Sequence, residues 1–166
     1  MTEEEKVKNK KIGDARPSWD EYFMQIACLI SRRSTCLRRK VGSVIVKDKH
    51  VLTTGYNGVP AGLKHCVEIG CLRMKENVPS GQRHELCRGL HAEMNALIQA
   101  AKFGINIEGS TFYCTVHPCI LCAKMIINSG IRKVIIKEGY PDENAVKMFK
   151  EADIKIEKFQ EKREQC

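Results

Sequence analysis

Three residues that could bind a metal ion lie in two short segments of the chain: His91, Cys119 and Cys122. The two cysteines form a Cys-x-x-Cys pair, and Glu93 follows His91 after one intervening residue, Ala92. One imidazole and two thiolates match the tetrahedral preference of zinc, and three protein ligands leave a fourth position open for water. Glu93 is only two residues from His91 in the sequence but is not needed as a metal ligand, so its carboxylate can transfer protons to and from that water. The pattern predicts a catalytic zinc site.

The alternatives to a catalytic site are a redox cysteine pair, a structural zinc site, or an apolar cysteine pair beside a core histidine. Redox and structural sites share the Cys-x-x-Cys spacing, but neither needs the His-x-Glu segment. Residues 91–104 show helical apolar spacing and end at Gly104. Residues 118–130 open with Pro118 in the first turn of a second predicted helix. The two thiols would then lie at a helix N-terminus, which favours thiolates.

The composition is typical of a compact enzyme. The chain has 166 residues, of which 43% are hydrophobic, and this predicts a domain with its own core. No apolar run is long enough to span a bilayer and the N-terminus is polar, so we expect a cytoplasmic protein without a membrane partner. In that reducing compartment, nine cysteines indicate metal binding or catalysis. The net charge is +8, but basic and acidic residues are interspersed, so a polynucleotide partner is not expected.

The chain is expected to form one domain over residues 17–160, between flexible tails at 1–16 and 161–166. Within the domain, the polar segment from Asn57 to about Arg88 is rich in Gly and Pro and is too long for an ordinary connection. We refer to residues 59–89 of this segment as the insert. Its length indicates that the segment has a function or is stabilised by a bound metal ion.

The remaining segments alternate between helices and strands. A first helix begins after Ser18 and should run to about Arg33, and a hairpin should turn around Asp48 and Lys49. Strands that are joined by single helices pair in parallel through right-handed crossovers, so the last strand should be parallel to its neighbour. The predicted fold is a three-layer α/β/α sandwich with a mixed sheet of about five strands.

The insert contains four more candidate metal ligands. It has too little apolar content to form its own core, and a structural zinc would supply the missing stability. Free cysteines are the alternative, because the spacing is less regular than that of a zinc ribbon. The candidates are Cys66, Cys71, His84 and Cys87.

Three sequence segments together resemble a known family. GYNGVPAG at residues 55–62, HAEMNA and HPCILCAK are similar to the deoxycytidylate (dCMP) deaminases of the cytidine deaminase superfamily, over nearly the whole chain from Trp19 to Phe159. SRRSTCLRRKVG and the insert resemble the bacterial members that are named after the late-competence operon. The resemblance implies a cytidine deaminase-like fold and zinc-dependent hydrolysis of dCMP to dUMP and ammonia, in which Glu93 moves protons from water to the base.

The resemblance also implies substrate-binding residues. Asn57 would contact the nucleoside, although a turn asparagine before Gly58 is the alternative. Arg33 and Tyr140 would lie near the phosphate, and for Arg33 the alternative is a solvated helix end. Thr115 and His117 precede the Pro-Cys-x-x-Cys turn and are therefore expected to line the pocket, with an exposed loop position as the alternative for His117. Ala92, between His91 and Glu93, is a further candidate.

Further cofactors and partners are implied by the same family. Cys36 resembles a position that contributes to a second zinc in some members, so five candidates compete for four places. The preferred set is Cys36, Cys66, Cys71 and Cys87, with His84 as the replacement. Family members also suggest dCTP and dTTP as effectors, magnesium bound with an effector nucleotide, and a homo-oligomer of undetermined size.

Two other functions are compatible with the zinc motif. A tRNA adenosine deaminase shares the motif and the basic character, but the GYNGVPAG segment and the insert favour the mononucleotide branch. A non-catalytic zinc-binding, competence-associated protein would not need the carboxylate of Glu93. The sequence therefore favours a dCMP deaminase.

Overall fold

The computed structural model describes residues 16–139 and 141–160. Apart from Arg16, the two predicted tails lie outside the described residues, and so does Tyr140, which was predicted to lie near the phosphate.

A five-stranded mixed sheet forms the centre of the molecule, as predicted. In spatial order β2-β1-β3-β4-β5, β1 is antiparallel to both β2 and β3, while β3, β4 and β5 are parallel to one another. The prediction that the last strand runs parallel to its neighbour is therefore confirmed. The strands are β1 (Gly42–Lys47), β2 (His50–Tyr56), β3 (Thr111–Val116), β4 (Lys133–Glu138) and β5 (Lys155–Lys158).

The hairpin between β1 and β2 turns where the sequence predicts. Asp48 and Lys49 both have positive φ, at 50° and 63°. Two consecutive residues in this region form the type of two-residue turn whose twist matches that of paired strands. The turn thereby fixes the register of β2 beside β1.

Helices cover both faces of the sheet, which completes the predicted three layers. The first helix packs on one face and the last three on the other. No helix in the described ranges is both long enough and apolar enough to cross a membrane. The helices are α1 (Trp19–Ser31), α2 (Cys66–Ile69), α3 (Leu72–Lys75), α4 (Ala92–Phe103), α5 (Ile120–Asn128) and α6 (Glu143–Glu151), with a 3₁₀ turn at His84–Leu86.

Two hydrophobic cores lie between these layers. On the α1 side, Phe23 packs with Val44 and Tyr113; on the other side, Phe112 packs with Phe149 among residues of α4, α5 and α6. Strands β1 and β3 are buried on both faces, so their sequences show no strict alternation of apolar and polar residues. This rigid centre carries the segments that lead to the candidate site.

Two helix boundaries differ slightly from the prediction. The predicted capping box is present, since the Ser18 hydroxyl accepts from Glu21 N, but α1 ends at Ser31, two residues before Arg33. Helix α5 begins at Ile120, so the preceding Pro118 lies outside its first turn. Cys119 is the extended N-cap residue, and its Sγ lies 3.5 Å from His91 Nδ1.

Candidate active site

Close backbone packing holds the start of α4 against the sheet. A Cβ atom on Gly55 of β2 would lie 2.1 Å from the carbonyl oxygen of Ala92, so only glycine permits this approach. On β1, the Ser43 hydroxyl donates to the same carbonyl at 2.9 Å. These contacts fix the positions of His91 and Glu93 at the N-terminus of α4.

The three predicted metal ligands come together. His91 Nδ1 lies 3.5 Å from Cys119 Sγ and 3.3 Å from Cys122 Sγ, and the three ligand atoms are within 4.8 Å of one another. A tetrahedral zinc with ordinary Zn–S and Zn–N bonds would separate sulfur from nitrogen by about 3.6 Å. The side chains therefore fit a zinc ion with little movement.

Hydrogen bonds around Cys119 favour its thiolate form. The bond from Cys122 is the main cause, and with a further bond from His91 it lowers the pKa of Cys119 to about 3 in spite of burial. The same contact with Cys119 raises the pKa of His91, although burial opposes this effect. The cluster thus provides a negatively charged sulfur ligand.

Glu93 is the buried carboxyl group beside these ligands. Its side chain is 3% exposed, and burial raises its pKa above the ordinary value while the neighbouring His91 partly offsets the effect. A carboxyl group in such an environment exchanges a proton with a reacting group more readily than an exposed one. Its placement suits acid–base chemistry.

Asp142 is a site residue that the sequence analysis missed. Its Oδ1 accepts from Asn144 N and Ala145 N and so caps α6, while its Oδ2 accepts at 2.9 Å from Ile120 N, next to Cys119. Burial opposes ionisation, but the three amides prevail and lower the pKa of Asp142. An aspartate before a helical segment indicates a cap. The bond to α5 has no local signal in the sequence.

One cavity of about 520 Å³ opens beside the candidate metal ligands. This volume is in the range of small-molecule sites. His91, Glu93 and Cys119 lie in its wall, as do three of the predicted substrate-binding residues: Asn57, Ala92 and His117.

Asn57 also has a structural role. Its Oδ1 accepts from Val41 N and its Nδ2 donates to the Arg39 carbonyl, both at 2.8 Å. These bonds hold the backbone before β1 in place at the cavity. Asn57 is therefore a brace for this wall as well as a candidate contact for the nucleoside.

Thr115 and Arg33 do not line the cavity. The Thr115 hydroxyl accepts from Gly42 N at 3.1 Å, and its side chain is on the α1 face of β3 because neighbouring Val116 points to the cavity. Arg33 is exposed just beyond the end of α1. Both residues thus lie elsewhere than the sequence analysis expected.

Arg38 and Arg39 line the cavity, although the sequence analysis did not select them. The Nη1 atom of Arg38 is buried without a hydrogen-bond partner. The run SRRSTCLRRKVG contains four arginines, and only the path of the backbone after α1 determines which ones face the cavity.

The insert forms another wall of the same cavity. Gly58 and Leu90 pair at its base, with N–O distances of 3.1 and 2.8 Å, so the chain leaves and returns at one point. The five candidate ligands for a second zinc all line the cavity: Cys36, Cys66, Cys71, His84 and Cys87.

The thiols of this second group influence one another. Burial raises the pKa of Cys66, and the nearby Cys71, Cys36 and Cys87 raise it further. Among the described residues, however, only the group around His91 has three His, Cys, Asp or Glu ligand atoms within 4.8 Å of one another. The second zinc remains a prediction.

Comparisons with known proteins agree with this geometry. A profile of the cytidine and deoxycytidylate deaminase zinc-binding region matches residues 17–138. ComE operon protein 2 of Bacillus subtilis is 40% identical over 146 residues, which cover 87% of this chain and 73% of that protein. Deoxycytidylate deaminase of Saccharomyces cerevisiae is 40% identical over 145 residues, which cover 87% of this chain but 46% of the yeast protein, so the chain spans about half of that relative's length.

A solved structure also resembles the chain as a whole. The crystal structure of dCMP deaminase from the cyanophage S-TIM5, in complex with dCMP and dUMP, superimposes with a TM-score of 0.71 at 32% identity. The match covers 87% of this chain and 98% of the phage chain. The similarity therefore includes the complete fold of that enzyme.

Proposed function

Because the chain belongs to the cytidine and deoxycytidylate deaminase family, we propose that it hydrolyses dCMP to dUMP and ammonia. The observation that carries this proposal is the convergence of His91, Cys119 and Cys122 beside the buried carboxyl group of Glu93, in the wall of a nucleotide-sized cavity. The dCMP-bound phage enzyme supports the choice of substrate.

Glu93 performs the proton transfers in this proposal. Zinc held by His91, Cys119 and Cys122 would supply a water molecule of lowered pKa. As the water oxygen bonds to C4 of the cytosine, Glu93 takes one proton and delivers it to ring N3. Glu93 then takes the second proton of the same water and gives it to the exocyclic amine. The C4–N bond breaks, ammonia leaves, and the carbonyl group of dUMP forms.

Arg38 is the residue that we assign to the 5′-phosphate. Arg38 lines the cavity, and its buried Nη1 has no partner, so it can donate a hydrogen bond to a phosphate oxygen. Arg33 is less suitable because it is exposed and does not line the cavity. Asn57, Ala92 and His117 are the proposed contacts for the sugar and the base.

The product dUMP is a precursor for thymidylate, so we assign the reaction to pyrimidine deoxynucleotide metabolism in the cytoplasm. The resemblance to the family supports three further proposals: regulation by dCTP and dTTP, magnesium bound with the effector nucleotide, and assembly as a homo-oligomer. The buried, mutually influencing thiols around Cys66 support a second, structural zinc.

The two alternative functions are less well supported. The relatives described above include named deoxycytidylate deaminases, and the insert lines a small-molecule-sized cavity beside the candidate zinc ligands. Neither observation favours a tRNA substrate. A binding protein without activity would have no use for a buried carboxyl group at Glu93.

A substrate panel tests the proposal. Purified, zinc-loaded protein should release ammonia from dCMP, should act much more slowly on deoxycytidine, and should leave a tRNA anticodon stem unchanged. Removal of zinc by a chelator should abolish the activity, and added zinc should restore it. Deamination of the tRNA adenosine with dCMP inert would overturn the proposal, and so would a zinc-loaded protein without any deaminase activity.

A further inference from the structure

Arg73, on the short helix α3 of the insert, is a buried cation without a carboxylate partner. Its side chain is 8% exposed, and none of the ion pairs found in the described ranges includes it. Its Nε atom is buried with no hydrogen-bond partner. A buried charge is stable only when it is paired and hydrogen-bonded. The side chain is therefore suited to receive an anion.

The surrounding loop fixes the orientation of this guanidinium group. One of its terminal nitrogens, Nη2, donates to the carbonyl oxygens of Pro79, at 3.2 Å, and Gln82, at 2.5 Å. Two bonds to one nitrogen hold the plane of the group, and Nε is left without a partner. A donor that is oriented before the ligand arrives binds with less loss of entropy.

The guanidinium group belongs to the catalytic cavity. Arg73 lines it together with His91 and Glu93. Arg73 thus lies in the wall of the cavity that a ligand of the catalytic residues would occupy.

A second unpartnered guanidinium atom lies in the same wall. Arg38 Nη1 is buried without a partner, and this residue comes from the segment before β1, far from Arg73 in the sequence. Two arginines from separate segments thus line one cavity, and each has a buried donor atom without a partner. A phosphate dianion is the part of a nucleotide that matches such a pair in charge and in number of acceptors.

We propose that Arg73 is a phosphate-binding residue which the insert contributes to the active site, and that it acts with Arg38 to select nucleoside monophosphates over nucleosides. This inference rests on the proposed function, because it assigns the specificity of the same site. A nucleoside would leave Arg73 Nε and Arg38 Nη1 without an acceptor, and a site with unpaired buried donors discriminates strongly against such an analogue.

Kinetics with two substrates test the role of Arg73. Each charge-assisted hydrogen bond that is lost should reduce kcat/KM for dCMP by roughly tenfold to a hundredfold. In Arg73→Gln, the ratio of kcat/KM for dCMP to that for deoxycytidine should therefore fall at least tenfold. Arg73→Lys, which keeps the charge without the fork of donors, should give an intermediate ratio. The matched control is Arg83→Gln, since Arg83 is an exposed arginine of the insert that pairs with Glu85; its ratio should not change.

Binding of inorganic phosphate gives a test that does not require turnover. Calorimetry should detect phosphate binding to the zinc-loaded wild-type protein, and Arg73→Gln should weaken it tenfold or more. If Arg73→Gln does not fold, the same comparison with Arg73→Lys decides the matter. An equal loss of activity on both substrates with unchanged phosphate binding would make Arg73 a structural brace and overturn the inference. A wild-type protein that binds phosphate through Arg73 but does not deaminate dCMP would refute only the proposed function.

Discussion

Replacement of Glu93 by glutamine tests the proposed proton transfers most directly. The amide has nearly the shape of the carboxyl group but cannot accept and return protons. His91, Cys119 and Cys122 are unchanged by the substitution, so the metal group should remain assembled. We expect the variant to bind zinc and fold as the wild type does while its activity on dCMP collapses.

The expected loss follows from the burial of Glu93. Removal of a general acid–base group lowers the rate by about two to four powers of ten, which corresponds to about 2.7 to 5.4 kcal/mol of activation free energy. Because the side chain is 3% exposed, bulk water cannot readily take over the proton transfer. Since both proposed transfers depend on this one group, we expect a loss in the upper half of that range.

The assay is ammonia release from dCMP, with the zinc content and thermal unfolding of the same samples as controls. Glu143→Gln is a matched control, because Glu143 is also a glutamate in the first turn of a helix but is exposed and does not line the cavity. It should retain wild-type activity. If zinc-loaded Glu93→Gln turns over dCMP within tenfold of the wild type, the assignment of Glu93 is wrong.

Three other predictions concern metal content, the joint between α5 and α6, and the phosphate. Elemental analysis should find about two zinc ions per chain, and serine at Cys66 or Cys71 should remove one of them; an unchanged ratio of one would refute the second site. Asp142→Ala should lower the free energy of unfolding by about 0.5 to 2 kcal/mol in denaturant titrations. Because its pKa is lowered in the folded state, the contribution of Asp142 should be present above the ordinary aspartate pKa and be lost as the pH falls through the lowered value; a difference between wild type and variant that does not change with pH would contradict this. Arg38→Gln should reduce the preference for dCMP over deoxycytidine more than Arg33→Ala does, and the reverse order would restore the sequence-based assignment.

Local patterns explain why the centre of the site could be predicted from the sequence. The spacing of Cys119 and Cys122 places two thiols one turn apart wherever a helix begins there. The single helices that join consecutive strands restricted the topology to parallel crossovers, which fixed the relative positions of β3, β4 and β5. The types and spacing of the zinc ligands are local features, so the sequence was sufficient to select these residues.

The residues that the sequence analysis missed depend on contacts between distant segments. Asp142 reads as an ordinary helix cap, and its bond to Ile120 appears only when α5 and α6 are packed. Thr115 was placed in the pocket because it precedes the cysteine motif, although β3 alternates its side chains between two faces that are both buried. Arg73 lies in a segment without periodicity, where sequence alone gives no direction for a side chain.

The pairing of Gly58 with Leu90 separates two parts of the molecule that evolution can alter independently. Because the insert begins and ends at one point, its length can change without moving β2 away from α4, and each doubling of a flexible loop costs only about 0.6 kcal/mol of closure free energy. The candidate zinc ligands and Glu93 lie at the N-termini of helices beside the sheet, while the insert forms another wall of the cavity. Exchange of the insert between related enzymes is therefore a route to new substrate preferences without a change in the catalytic residues.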